Sequence, residues 1–94
     1  MEGRKLRMGQ VVRSCAGRDS DCFYVVVGIV SEDRVALADG IRRKIDNPKT
    51  KNIKHVKIIS HADESLKRRL AGGEKISDAD VRKVLRGFVE EEGC

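Results

Sequence analysis

The first sixty positions alternate apolar and polar residues in short runs bounded by turn residues, the periodicity of strands. Gly9-Gln10-Val11-Val12-Arg13-Ser14 reads as a first strand, with Val11 and Arg13 alternating against Val12 and Ser14 to give one dry face. The chain must reverse at Ala16-Gly17-Arg18-Asp19, where Gly17 can take a positive φ or admit a close backbone approach. The run Phe23-Tyr24-Val25-Val26-Val27-Gly28-Ile29-Val30 is apolar on both faces, and its β-branched content favours strand over helix. Phe23, Val25, Val27 and Ile29 point one way; Tyr24, Val26 and Val30 point the other. Such a strand needs cover on both sides, and Gly28 in its middle predicts a bulge or bend.

Ser31-Glu32-Asp33 is a polar turn before a third strand, Arg34-Val35-Ala36-Leu37-Ala38. Asp39-Gly40 is a two-residue hairpin signal, because both residue types accept positive φ. It predicts a fourth strand in which Ile41, Arg43 and Ile45 alternate with Arg42 and Lys44. Asp46 to Asn52 is loop by composition. A last strand follows over Lys54 to Ile59, with Val56 and Ile58 inward and His55 and Lys57 outward. Five short strands joined by tight turns predict a mainly β protein built on a small five-stranded barrel, residues 1–60.

The period changes beyond Ser60. Ser60 or Asp63 can cap a short helix carrying Leu66 and Leu70 and stopped by Gly72-Gly73. Ser77 and Asp80 resemble a capping box, and Val81, Val84, Leu85, Phe88 and Val89 form one apolar stripe behind it. Residues 61–94 are therefore expected as a C-terminal helical extension. Its stripe either covers the outer face of Phe23–Val30 or docks on a partner.

Composition narrows the picture. Ninety-four residues suit one domain with an appendage, and with Phe23, Tyr24 and Phe88 as the aromatics, aliphatic side chains must carry the packing. No apolar run approaches the roughly 20 residues that cross a bilayer, and no hydrophobic stretch follows the charged start. A cytoplasmic protein with no membrane partner is expected. Cys15, Cys22 and Cys94 form no Cys-x-x-Cys pair, and their odd number argues for reduced, structural or incidental thiols. Neither metal-ligand spacing nor a nucleophile arrangement nor a glycine-rich phosphate loop is present, so no cofactor and no enzyme activity are expected. Ser60-His61-Ala62-Asp63 brings triad residue types together only in sequence, which is not triad geometry.

Charge is the chemically informative feature. The formal excess of +5 is concentrated between Ile41 and Lys57, where Arg42, Arg43, Lys44, Lys49, Lys51, Lys54 and Lys57 face a single Asp46, while the rest of the chain is close to balanced. That segment is lopsided for a surface that merely keeps a protein soluble, and it suits phosphate neutralisation with counterion release. Arg13 joins the candidate set. Arg18 can reach phosphate or pair with Asp19 or Asp21, and His55 can stack on a base or sit as an ordinary surface histidine. The scarcity of aromatics argues against stacking ladders on single strands, and for phosphate and shape recognition of structured RNA.

Gly9-Gln10-Val11-Val12, Ala16-Gly17-Arg18-Asp19 and the valine run together resemble a KOW motif. Ala38-Asp39-Gly40, Arg42-Arg43-Lys44 and Asn52-Ile53-Lys54-His55-Val56 are similar to archaeal and eukaryotic large-subunit ribosomal proteins of the fourteen-e type, and more so to small bacterial KOW domain-containing RNA-binding proteins. The resemblance covers Leu6 to Ile59. It implies a Src-homology-3-like barrel that binds ribosomal or other structured RNA, with Gly17 as the motif glycine and Asp39 and Gly40 as structural positions. Such proteins commonly carry Lys-Gly where this chain has Ser20-Asp21. The expected partner is RNA, ribosomal RNA first, alone or within a ribosomal particle. The alternative is a protein-interaction module docking on a transcription or translation factor.

Overall fold

The structure, a computed structural model, describes residues 6–15, 22–59 and 64–87. Five strands form one antiparallel sheet: β1 (Val11–Ser14), β2 (Phe23–Ser31), β3 (Arg34–Ala38), β4 (Lys49–Asn52) and β5 (Val56–Ile58). Their order is β4-β3-β2-β1-β5, and a single 3-10 turn, Ile53–His55, leads from one edge strand to the other. Two helices follow, α1 (Glu64–Ala71) and α2 (Asp78–Leu85). Among the described residues no helix is long and apolar enough to cross a membrane.

The two-faced run becomes β2, and each face has its own core. Tyr24 and Val26 join Val12, Cys22, Val35, Leu37 and Val56, with Leu6 and Ile53 packed at the margin. Val25 joins Val11, Leu66, Ile76, Val81 and Leu85, with Phe23, Val27, Ile45, Leu70 and Val84 around them. Val25 and Val26 are both fully buried although they point in opposite directions. Each such valine is worth about 1.5–3 kcal/mol of burial, so a central strand with two dry faces anchors both layers. The helices cover one face; side chains from four strands fill the other by packing on one another, which a strongly bent sheet allows.

Bending is visible in the ladder. Val26 pairs with Leu37 but Gly28 with Ala36, so β2 advances two residues while β3 advances one, the bulge expected at Gly28. A Cβ on Gly28 would meet only the Ala36 Cβ at 3.5 Å, so the bulge does not require glycine. Beyond it the two-sided cover ends: Ile29 and Val30 are 52% and 56% exposed, against the expectation for the whole run. The reason is pairing, since β1 reaches only Val25 and β2 continues past it as a hairpin arm with β3 alone.

Several expectations are corrected. β1 has two dry faces rather than one, because it lies between β2 and β5 with Val11 under the helices and Val12 on the opposite face. Residues 41–45 are not a strand, and Asp39-Gly40 does not make a two-residue hairpin. The connection runs on to Pro48, and the fourth strand is Lys49–Asn52, in the segment whose composition reads as loop. The free edge of β3 supplies its ladder, and lysines suit an edge strand. The last strand is shorter than expected, because Asn52 Oδ1 accepts the Lys54 N–H at 2.9 Å and starts the 3-10 turn. Ile58 shares the inward face with Val12 but stays 40% exposed at the sheet edge. Cys22 is disulfide-bonded, so not all three cysteines are free thiols; an odd number still permits one pair, and Cys15 remains free and exposed.

The helical half follows its local signals. α1 ends where Gly72 N–H donates to Arg68 O at 3.0 Å and Glu74 N–H to Arg69 O at 2.8 Å, with Gly73 at φ 76°. The capping box is formed: Asp80 N–H donates to Ser77 Oγ at 3.2 Å, and Ser77 N–H to Asp80 Oδ2 at 2.8 Å. Val81 and Leu85 are buried against the sheet and Val84 is half-buried, so this part of the stripe is cover. Phe88 and Val89, the caps at Ser60 and Asp63, and Gly17, Arg18 and His61 lie outside the described residues.

Two predictions follow from this packing. At Gly40, φ is +78° and a Cβ would stand 2.6 Å from Asp78 O and 2.8 Å from Arg82 Cγ. Gly40→Ala is therefore expected to lose on the order of 2 kcal/mol or more in denaturant unfolding, whereas Gly28→Ala changes stability by less than about 1 kcal/mol. Asp80 is held below the ordinary aspartate range, first by the Ser77 backbone N–H and then by Arg69, 3.2 Å away. Its folded pKa being the lower one, its contribution is present above the unfolded value and lost as pH falls through the folded one. Asp80→Asn should melt below the parent at pH 7, and the gap should close below about pH 4.

Candidate nucleic-acid interface

The basic segment owes its shape to Asp39. One carboxylate oxygen, Oδ1, accepts the N–H of Ile41 at 2.9 Å and that of Arg43 at 2.8 Å. In return, Arg43 O accepts from Asp39 N at 2.9 Å and Gly40 N at 3.1 Å. These four bonds close a compact loop in which the donors a strand would need are already used. Side chains are then what the loop offers, and Ile41, Arg42, Arg43 and Lys44 are all exposed. None of the three cations pairs with a carboxylate among the described residues.

A second set of contacts seats this loop on α2. The missing side chain of Gly40 lets the first turn of the helix approach its backbone. Arg82 NH1 donates to Gly40 O at 2.6 Å, and Asp78 Oδ1 accepts the Ile45 N–H at 2.9 Å. Ile45 itself packs with the helix-side core. The loop is thus held at both ends by one helix and closed within itself by one carboxylate.

The remaining candidates divide between faces. Arg13 pairs with Phe23 on one side and Lys57 on the other, so the three share the face of Val11 and Val25. Phe23 belongs to the same cluster as Ile45, which links Arg13 and Lys57 to the basic loop. Lys57 is exposed and Arg13 half-buried. Lys54 and His55 lie exposed on the 3-10 turn, whose end is tied to β1 by Cys15 N–H donating to His55 O at 2.8 Å. Lys49 and Lys51 differ: they stand opposite Leu37 and Val35, on the face of the other core, and are half-buried. Their stems shield that core at the sheet edge. Arg18 lies outside the described residues.

The structure also brings in residues that the charge count along the segment missed. Arg82, exposed on α2, stands beside the loop through the Gly40 contact, which spans 42 positions of sequence, and Arg86, the exposed C-cap of the same helix, follows four residues on. Their spacing of four, beside the buried Val81 and Leu85, was the available signal. Arg69 goes the other way. It bonds Glu74 at 3.1 Å, Lys75 O at 3.3 Å and Asp80 at 3.2 Å, and these carboxylates raise its pKa, the Asp80 bond most. It works inside the protein, tying α1 and the turn after it to the start of α2.

Chemically, the loop presents unneutralised guanidinium and ammonium groups on a backbone whose local hydrogen bonds are already made. Such an array can neutralise phosphates with its backbone already in place, leaving only the side chains to order. No protein-family model matches this chain, and no curated protein sequence matches it either.

Proposed function

We propose that the chain is an RNA-binding protein of the ribosomal or translation type, with a KOW-type, Src-homology-3-like barrel as its scaffold. The observation that carries this is the Asp39-closed loop with Arg42, Arg43 and Lys44 exposed and unpaired by acids among the described residues. Barrel geometry is supported by the strand order, with a 3-10 turn joining the two edge strands, and by the bulge in β2. Structured RNA suits the array better than a single strand, because the described aromatics are two, Tyr24 buried in one core and Phe23 half-buried at the margin of the other, too few for a stacking ladder. The rival reading is a protein-interaction module that docks through the barrel edge or the 77–90 helix; its helix form would need an apolar stripe that α2 has already buried in Val81 and Leu85.

Binding should weaken steeply with salt, and co-sedimentation with ribosomal particles should be retained at low and lost at high ionic strength. The Arg42/Arg43/Lys44→Ala variant should bind RNA about tenfold to a hundredfold more weakly, with a salt slope smaller by about two to three. Unchanged affinity and slope would reject this surface. Asp39→Ala offers a sharper check, since it makes the protein more positive yet opens the loop. Its affinity should fall in the same binding assay; a rise would mean that net charge, and not loop geometry, governs binding.

A further inference from the structure

Besides holding Gly40 O, Arg82 leaves its other guanidinium nitrogens beside the base of the basic loop. Arg86 lies one turn further along the same side of α2, while Val81 and Leu85 turn to the core. Both arginines are exposed, and neither pairs with a carboxylate among the described residues. Asp78, the acid in the same helical row, has Oδ1 committed to the Ile45 N–H.

We propose that Arg82 and Arg86 join Arg42, Arg43 and Lys44 in one phosphate-binding surface, so that α2 is part of the RNA interface as well as the cover of the sheet. The proposal rests on the RNA-binding reading and extends it to a second element. Its physical basis is relative position. The loop and the helix are clamped through Gly40, Arg82 and Asp78, so the two backbones that carry the five cations are already set relative to one another before contact. Arginine suits the task, because a guanidinium can bond a backbone carbonyl and a phosphate oxygen through different N–H groups. A fixed cluster on two elements matches phosphates set by RNA tertiary shape rather than those of a freely bending strand.

Basic residues at a helix C-terminus also complement the helix dipole, which would account for Arg82 in the last turn and Arg86 at the C-cap without RNA. The two roles separate experimentally. A dipole role moves stability, whereas a phosphate contact moves affinity and its salt dependence.

The test is fluorescence anisotropy of the full chain with a labelled RNA stem-loop across a salt series, with thermal unfolding in parallel. Arg86→Gln should weaken binding about three- to tenfold and reduce the salt slope by about one, with little change in melting temperature. Arg82→Gln should weaken binding further and lower the melting temperature, because it also releases Gly40. Arg68→Gln, exposed on α1, carries the same charge change and should leave binding near the parent value. If Arg86→Gln leaves affinity and slope unchanged, or if Arg68→Gln lowers them equally, the helix is not part of the interface. That result, with the Arg42/Arg43/Lys44→Ala variant still impaired, would overturn the extension alone. If the triple variant binds as tightly as the parent, the RNA-binding reading falls and the extension with it.

Discussion

The close approach of α2 to the backbone of Gly40 is the constraint on which most of this architecture depends. It is possible only because position 40 has no side chain and adopts a left-handed φ, with Asp78 O and Arg82 Cγ where a Cβ would stand. From that contact follow the Arg82–Gly40 and Asp78–Ile45 hydrogen bonds. These place the helix over Val11 and Val25 and the basic loop beside the helix. A structural core and a charged surface therefore share one joint.

β2 supplies the complementary constraint. A strand that is apolar on both faces cannot sit at a surface, so it forces a second layer. The helices meet that need on the Val25 side, and the bending of the sheet meets it on the Val26 side. Where neither reaches, at Ile29 and Val30, the strand is exposed. The modest size of the chain makes both clusters necessary, since neither alone offers much buried area.

Charge is partitioned with the same economy. Arg69 commits its guanidinium to Glu74, Asp80 and a backbone carbonyl, and Asp39 and Asp78 commit carboxylate oxygens to backbone N–H groups. Asp39 and Asp78, on either side of the loop's joint with the helix, are thus engaged with the backbone, and among the described residues no acid pairs with Arg42, Arg43 or Lys44. An acid inside a basic segment here orders it without discharging it, which is why a simple charge count understates what Asp39 does.

Much of the fold was legible from local pattern. The two-faced run at Phe23–Val27, the third strand, the bulge at Gly28, the Gly72-Gly73 stop and the Ser77–Asp80 capping box all depend on short-range periodicity or on residues a few positions apart. So did the concentration of cations after Gly40. What pattern could not reach were outcomes set by partners distant in sequence. Residues 41–45 alternate like a strand, yet Asp39 and Asp78 take the N–H groups of Ile41, Arg43 and Ile45. Lys49–Asn52 reads as loop, yet the open edge of β3 draws it into the sheet. Lys49 and Lys51 separate from Lys57 because cross-strand partners decide the face a side chain shares. Arg82 comes to the loop only through the helix docking at Gly40. The sequence by itself determined those elements whose hydrogen bonding and burial are settled within a few residues, because neighbours encode them. Only the tertiary structure decided which cations stand together, because that depends on which backbone groups remain unpaired once the chain has packed.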